Sequence, residues 1–238
     1  MEIKPIKTRV FVENEDLTSF ILKYFKKITE KSILVVTSKI VSLAEGRVVE
    51  FKNKRQKIKL IKAESDFALK TKIVWMTIKD GMVMASAGID ESNARGKLIL
   101  LPKNSFASAE ILRKKLQKIF KVKKLGVLIT DSRTFPLRAG IVGVALGYAG
   151  FKGIRDYRGT KDIFGRVLKM TRTDIADSLA TAAVLSTGEG KEMQPLALIT
   201  NAPVEFTEKI NKKELFIDPR EDLYQPLFEK IGKSKFKK

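Results

Sequence analysis

Five stretches between residues 129 and 190 decide how this chain reads: ITDS (129–132), PLRAG (136–140), IVGVALGYAG (141–150), IRDYRGTKDIFGRVLKMT (154–171) and ADSLATAAVLSTGEG (176–190). Gly140, Gly143, Gly147 and Gly150 stand there among Asp131, Asp156, Asp162 and Glu189, with Arg138, Arg155, Arg158 and Arg166 interspersed. Glycine lets backbone approach a ligand or another element closely. Carboxylates suit oxygen-coordinated divalent metals, and arginine suits phosphate. One segment thus answers the demands of a metal–phosphate site, although the glycines alone read equally well as close backbone packing.

Working outward, Leu125–Ile129 reads as a buried strand, which places Asp131 just past its C-terminal end, where ligand-binding carboxylates are often found. Ile175–Leu185 is an alanine-rich helix with Thr187–Gly190 as its flexible exit, and Leu196–Thr200 is a last strand. The remainder reads as amphipathic helix plus tail. Upstream, Asp16 caps a helix carrying Leu17, Phe20, Ile21, Tyr24 and Phe25 at helical spacing. Ser32–Val36 is a buried strand running into Thr37, Ser38 and Lys39, then a short helix or turn to Glu45. Ile73–Ile78, the Asp80–Gly81 turn and Val83–Ala85 form a hairpin pattern. AGIDESN (87–93) is a loop, Leu98–Leu101 a strand, and Ser108–Phe120 an amphipathic helix.

Strands and helices alternate irregularly, so the fold class is α+β. The expected division is two lobes: residues 1–85 with 191–238, and residues 86–190.

Composition removes whole classes of chemistry. The 238 residues contain no histidine and no cysteine, which excludes Ser–His–Asp and Cys–His hydrolases, imidazole zinc sites and disulfides. Catalysis must use carboxylates, hydroxyls, lysine, arginine and a hard cation such as Mg²⁺ or Mn²⁺. No apolar run is long enough for a membrane span, and no secretory signal is apparent, so a cytoplasmic location is expected.

The net charge is +20. Six basic residues without an acid lie from Lys52 to Lys62, and five lysines close the chain from Lys230. These features read either as solvated lysine faces or as the footprint of a non-catalytic nucleic-acid-binding protein. Sparse aromatic interleaving favours the former. Neither GxxxxGK[ST] nor GxGxxG occurs, so any nucleotide binds without the usual cradles.

VVTSKIVSLAEGR (35–47), AGIDESN (87–93), ITDS (129–132) and GVALGYAG…DYRGTKDIFGRVL (143–168) together resemble the coenzyme F-420 gamma-glutamyl ligase family, from about Pro5 to Gly190. The resemblance implies a two-lobed fold working as an intertwined homodimer. It implies GTP as co-substrate, Mg²⁺ or Mn²⁺, and room for a monovalent cation. An acceptor carboxylate is activated as an acyl phosphate and L-glutamate is joined through an amide.

By matching position, Asp90, Asp131, Ser132 and Glu189 would hold metal. Pro5, Ile6, Lys7 and Thr8, with Ser38, Lys39 and Asn93, would line the nucleotide, as would the exit bearing Thr187, Gly188, Gly190 and Gln194. Arg158, Lys161 and Arg166 would neutralise phosphate or substrate carboxylate; ion pairing with Asp156 and Asp162 is their structural alternative. Arg138 and Gly140 would meet the acceptor.

The chain also departs from the family pattern. Thr134 and Phe135 replace a usual Gly-Arg pair, Leu43 stands where lysine is common, and Ser178 replaces a frequent glutamate. A changed pocket admits two anionic acceptors, coenzyme F-420-0 or a folate-like pterin with a glutamate tail.

Overall fold

The computed structural model describes residues 1–229. In chain order the elements are β1 (Glu2–Ile6), α1 (Leu17–Tyr24), β2 (Ser32–Thr37), α2 (Ser38–Ala44), β3 (Val48–Val49), α3 (Lys54–Ala63), β4 (Phe67–Lys70), β5 (Trp75–Lys79) and β6 (Met82–Ala85). They continue with β7 (Leu98–Ile99), α4 (Ser105–Phe120), β8 (Leu125–Arg133), β9 (Val142–Ala149), β10 (Ile154–Asp156), β11 (Arg172–Asp174), α5 (Ile175–Thr187), β12 (Leu196–Thr200) and α6 (Gln225–Glu229). This mixture of sheets and helices is the α+β class.

The chain divides into two compact units, Met1–Arg47 with Pro102–Glu214, and Val48–Leu101 with the described part of Leu215–Lys238. The expected boundaries after residues 85 and 190 differ from this for two reasons. β12 lies between β1 and β2 in one sheet, so the segment after 190 belongs with the segment before it. Residues 86–101 share a core with α3 and β5: Ala87, Ile89, Leu98 and Leu100 pack with Ile61, Leu60 and Trp75.

The first unit is built on a five-stranded sheet in the order β1-β12-β2-β8-β9. β2 and β8 are parallel, with Ser32 opposite Leu125 and Thr37 opposite Thr130. Ile33, Leu34, Val36, Leu125, Val127, Leu128 and Ile129 are all buried. Continuous apolar runs of this kind are what a central strand covered on both faces requires. The other pairings are antiparallel. Since β12 is antiparallel to both β1 and β2, the C-terminal ends of β1, β2 and β8 and the N-terminal end of β12 lie together.

Of the glycine series, Gly143 and Gly147 lie within β9, while Gly140 precedes it in the loop and Gly150 follows it. A Cβ on Gly143 would lie 2.4 Å from the Ala180 carbonyl oxygen and 2.6 Å from Val184 Cγ2, both on α5. A Cβ on Gly147 would lie 2.5 Å from backbone atoms of Ser105 and Phe106 at the start of α4. Both glycines therefore serve close helix–sheet approach, the structural of the two sequence readings. Gly143→Ala is expected to lower stability by about 1–3 kcal/mol, because α5 must retreat from β9. Urea melts of the two proteins check this.

Where the sequence reads as amphipathic helix downstream of β12, the described residues are irregular apart from the short α6. Asn211, Asp218 and Asp222 each accept the backbone N–H two residues on. These local Asx turns compete with helix formation.

The second unit contains the antiparallel sheet β4-β5-β6 and the pair β3-β7. The basic stretch from Lys52 forms α3, capped by Asn53 and turning Ile61 into the core. Lys62 sits over the Trp75 ring at 5.1 Å and Lys57 pairs with Glu91. The C-terminal lysines from Lys230 lie outside the described residues. No helix among the described residues is long and apolar enough to cross a membrane.

Candidate active site

The parallel register of β2 and β8 sets the geometry. Thr37 is opposite Thr130, so the next residues, Ser38 and Asp131, stand level. Ser38 Oγ donates to Asp131 Oδ1 at 3.4 Å. β8 continues to Arg133, so Asp131 lies inside the strand rather than just past its end. The reason is β9, which pairs with it as far as Arg133↔Val142.

β1 and β12 bring two more segments to the same end of the sheet. Pro5 and Ile6 pair with Ala197 and Leu196. The Thr8 N–H donates to the Met193 carbonyl at 2.8 Å, and the Thr37 N–H to the Pro195 carbonyl at 3.0 Å. Lys7 and Thr8, Ser38 and Lys39, Asp131 and Ser132, and the approach to β12 that contains Gln194 thus meet at one sheet end. Thr187, Gly188, Glu189 and Gly190 leave α5 toward this approach. Gly188 takes φ 78°, which favours glycine, and the Gly190 N–H donates to Glu192 Oε2 at 2.7 Å.

Asp90 and Asn93 belong to the second unit. Asp90 Oδ1 accepts the Ser92 N–H at 2.6 Å and Oδ2 accepts the Ser92 hydroxyl at 3.0 Å, an Asx turn. Asn93 has φ 53°. Among the described residues, no group of three or more His, Cys, Asp or Glu side chains is placed to hold a metal ion. Asp131 and Glu189 belong to the first unit, and a metal held by Asp90, Asp131 and Glu189 together rests on the resemblance.

What the end of β8 does offer is hard oxygen donors: the Asp131 carboxylate with the Ser38 hydroxyl against it, and Ser132 next along the strand. One carboxylate plus hydroxyls suits Mg²⁺, which is commonly held through one or two carboxylates together with phosphate oxygens and water.

The arginine candidates are placed differently. Arg158 sits on the β10–β11 arm with its Nε 2.9 Å and 3.0 Å from the two oxygens of Asp156. That contact holds the Asp156 carboxyl down at about 2, and it fulfils the ion-pair reading for Arg158. Asp162 instead accepts the backbone N–H groups of Phe164 and Arg166, closing the tip of the arm. Lys161 bridges Val167 across that tip. Arg138 and Gly140 lie in the exposed loop from β8 to β9.

Several groups escaped the sequence reading. Asp174 caps α5 by accepting the Asp177 N–H at 2.9 Å, and Asp177 accepts the Ala145 N–H at 2.8 Å. Asp-x-x-Asp ahead of a helix was the available signal. Burial pushes both carboxyls up, Asp174 to about 6. Buried Tyr148 donates to Glu214 at 2.6 Å, and burial together with that carboxylate pushes its phenol up. No sequence signal links residues 66 apart.

The Asp174 shift has a sign that can be measured. From its ordinary value of 3.8 to about 6, the folded chain keeps a proton that the unfolded chain has released. Stability from this pair is present below that window and falls as pH rises through it. Asn caps a helix as well as Asp does but does not titrate. The melting temperature of Asp174→Asn should therefore rise relative to the parent between pH 4 and 7; parallel curves would contradict the raised Asp174 value.

The sequence profile of the F420-0:Gamma-glutamyl ligase family matches residues 5–201. The chain belongs to this family. Membership makes it an amide-forming ligase. It is 35% identical over 243 residues to the Coenzyme F420:L-glutamate ligase of Methanococcus maripaludis strain S2, covering 94% of this chain and 97% of that protein. It is 35% identical over 232 residues to the protein of the same name from Methanocaldococcus jannaschii, covering 88% and 90%. The corresponding protein of Archaeoglobus fulgidus is 31% identical over 217 residues, covering 84% and 87%. For the F420-0:Gamma-glutamyl ligase family, the sheet end that gathers Lys7, Ser38 and Asp131 falls inside the matched region.

Proposed function

We propose that this chain is a GTP- and divalent-metal-dependent γ-glutamyl ligase whose acceptor is coenzyme F-420-0. The observation that carries the site is the meeting of four chain segments at one sheet end, where Ser38, at the start of α2 just past β2, reaches Asp131 on the parallel strand β8. The acceptor supports itself on the relatives, which bear the name Coenzyme F420:L-glutamate ligase. A folate-like acceptor remains the rival that the Thr134–Phe135 departure motivates.

In the proposed reaction an acceptor carboxylate oxygen attacks the γ-phosphorus of GTP, and GDP leaves. The amine of L-glutamate, having lost a proton, then attacks the acyl carbon, and phosphate leaves with the bonding electron pair. No protein nucleophile is needed, which suits a chain without histidine or cysteine. Asp131 and Ser132 would hold Mg²⁺ or Mn²⁺, which supplies charge stabilisation to the transferring phosphoryl group.

Lys7, Thr8, Ser38 and Lys39 would line the nucleotide together with the 187–194 segment, and Lys7 and Lys39 would add positive charge. Asp90, Asn93 and Glu189 are assigned by resemblance. Their convergence with Asp131 would come in the homodimer. A triphosphate-consuming biosynthetic step suits a cytoplasmic location.

The test is incubation with L-glutamate, Mn²⁺ and either GTP or ATP, with coenzyme F-420-0 or a reduced folate as acceptor. Mass spectrometry should show F-420-0 gaining whole glutamyl residues only with GTP and metal present. Growth of the folate instead would replace the acceptor. No product with either acceptor, under GTP or ATP, would reject the reading.

A further inference from the structure

We propose that Arg133 is a positioning residue that fixes the Asp131 carboxylate for the metal; the inference rests on the metal assignment above. Arg133 ends β8 and its side chain is only 6% exposed, while that of Asp131 is 24% exposed. The Arg133 guanidinium Nη2 stands 3.7 Å from Asp131 Oδ2. The other oxygen, Oδ1, takes the Ser38 hydroxyl at 3.4 Å. Each oxygen of the carboxylate is therefore addressed by a different element, β8 on one side and the start of α2 on the other.

The same guanidinium charge acts on Asp177, whose carboxyl is fixed to β9 through the Ala145 N–H. The geometric contact is the one to Asp131, and the field at Asp177 adds to the compensation of the buried charge.

Burying a guanidinium is costly unless acids compensate it, and this one cannot escape by losing its proton. Its planar fork can address two carboxylates from one place, whereas lysine offers a single point charge. At 6% exposure it is covered, so it acts on the site through Asp131 and not by touching substrate. Losing a group that orients a ligating carboxylate typically costs about 10–100-fold in metal affinity.

A cation this close to a metal ligand also repels the metal. The two effects have opposite signs, and that makes the inference testable. Positioning predicts that loss of Arg133 weakens metal binding, while repulsion alone predicts that its loss tightens it.

The experiment titrates Mn²⁺ into the full chain with GTP and no acceptor, reading free Mn²⁺ by electron paramagnetic resonance. Arg133→Met should weaken Mn²⁺ binding by about 10-fold or more. Arg133→Lys should recover part of that loss. With Mn²⁺ saturating, kcat should stay near that of the parent, so the defect appears in the metal dependence. Equal or tighter Mn²⁺ binding by Arg133→Met overturns the proposal.

Should the methionine variant fail to melt cooperatively, Arg133→Lys decides. Weaker Mn²⁺ binding at an unchanged melting temperature supports the proposal, and unchanged binding overturns it. A parent protein that binds no Mn²⁺ with GTP defeats the metal assignment as well. Normal parent binding with unaffected variants defeats this inference alone.

Discussion

Asp131→Asn is expected to reduce turnover by at least about 10³-fold, roughly 4 kcal/mol of transition-state stabilisation, while leaving the fold intact. Asparagine keeps the size of the side chain and an oxygen for the Ser38 hydroxyl. What it removes is the charge on the one partly exposed carboxylate that the parallel β2–β8 register sets level with Ser38. A neutral amide oxygen is a poor ligand for a hard divalent ion and does nothing to balance it. Arg133 loses its Asp131 partner but keeps the Asp177 field, so the melting temperature should fall by only a few degrees. Steady-state rates over a Mn²⁺ titration, with circular dichroism melts alongside, check both halves. Activity near that of the parent would reject Asp131 as a metal ligand. Glu189→Ala should also abolish turnover, and near-normal rates in that variant would remove Glu189 from the site.

The second large effect falls on stability. Arg113→Ala should cost about 3 kcal/mol and lower the melting temperature by about 6–12 °C. Arg113 is 1% exposed in the middle of α4. Its Nε donates to the Leu125 carbonyl at 2.7 Å, where β8 begins, and its guanidinium also engages Glu208 and Glu110. Gly150 allows this, because a Cβ there would lie 2.5 Å from Arg113 Nε. Alanine would leave a cavity beside a buried carbonyl that has lost its donor. Glu208 is largely exposed and recovers water, which keeps the loss below that of a fully buried pair. A melting temperature within about 2 °C of the parent would show that Arg113 is not the tie between α4 and β8.

These expectations show which parts of the molecule are legible from sequence. α1 with its Asp16 cap, β2, the β5–β6 hairpin, α4, α5 and β12 all announce themselves, because each buries an apolar pattern at the period of its own geometry. β1 does not, since EIKPI carries a proline that reads as a strand breaker. Proline is tolerated there because β1 is the edge of the sheet and pairs with β12 alone. α3 was hidden inside a charge run, with a buried face reduced to residues such as Ile61.

The site was legible as motifs but not as geometry. ITDS and TSK are visible as strings, while their meeting depends on a parallel pairing between strands some 90 positions apart. Arg133 carries no signal in the sequence, because its burial arises only when the chain folds. Asp177 and the Tyr148–Glu214 contact are products of tertiary packing. The expected gathering of Asp90, Asp131 and Glu189 rests on resemblance, since no string in the sequence links the three.

The most direct measurement follows oxygen. The acceptor carboxylate is labelled with oxygen-18 and converted with L-glutamate, GTP and Mn²⁺, and the released phosphate is analysed by mass spectrometry. Activation as an acyl phosphate predicts one labelled oxygen in each phosphate formed. Unlabelled phosphate accompanying amide product would contradict the account.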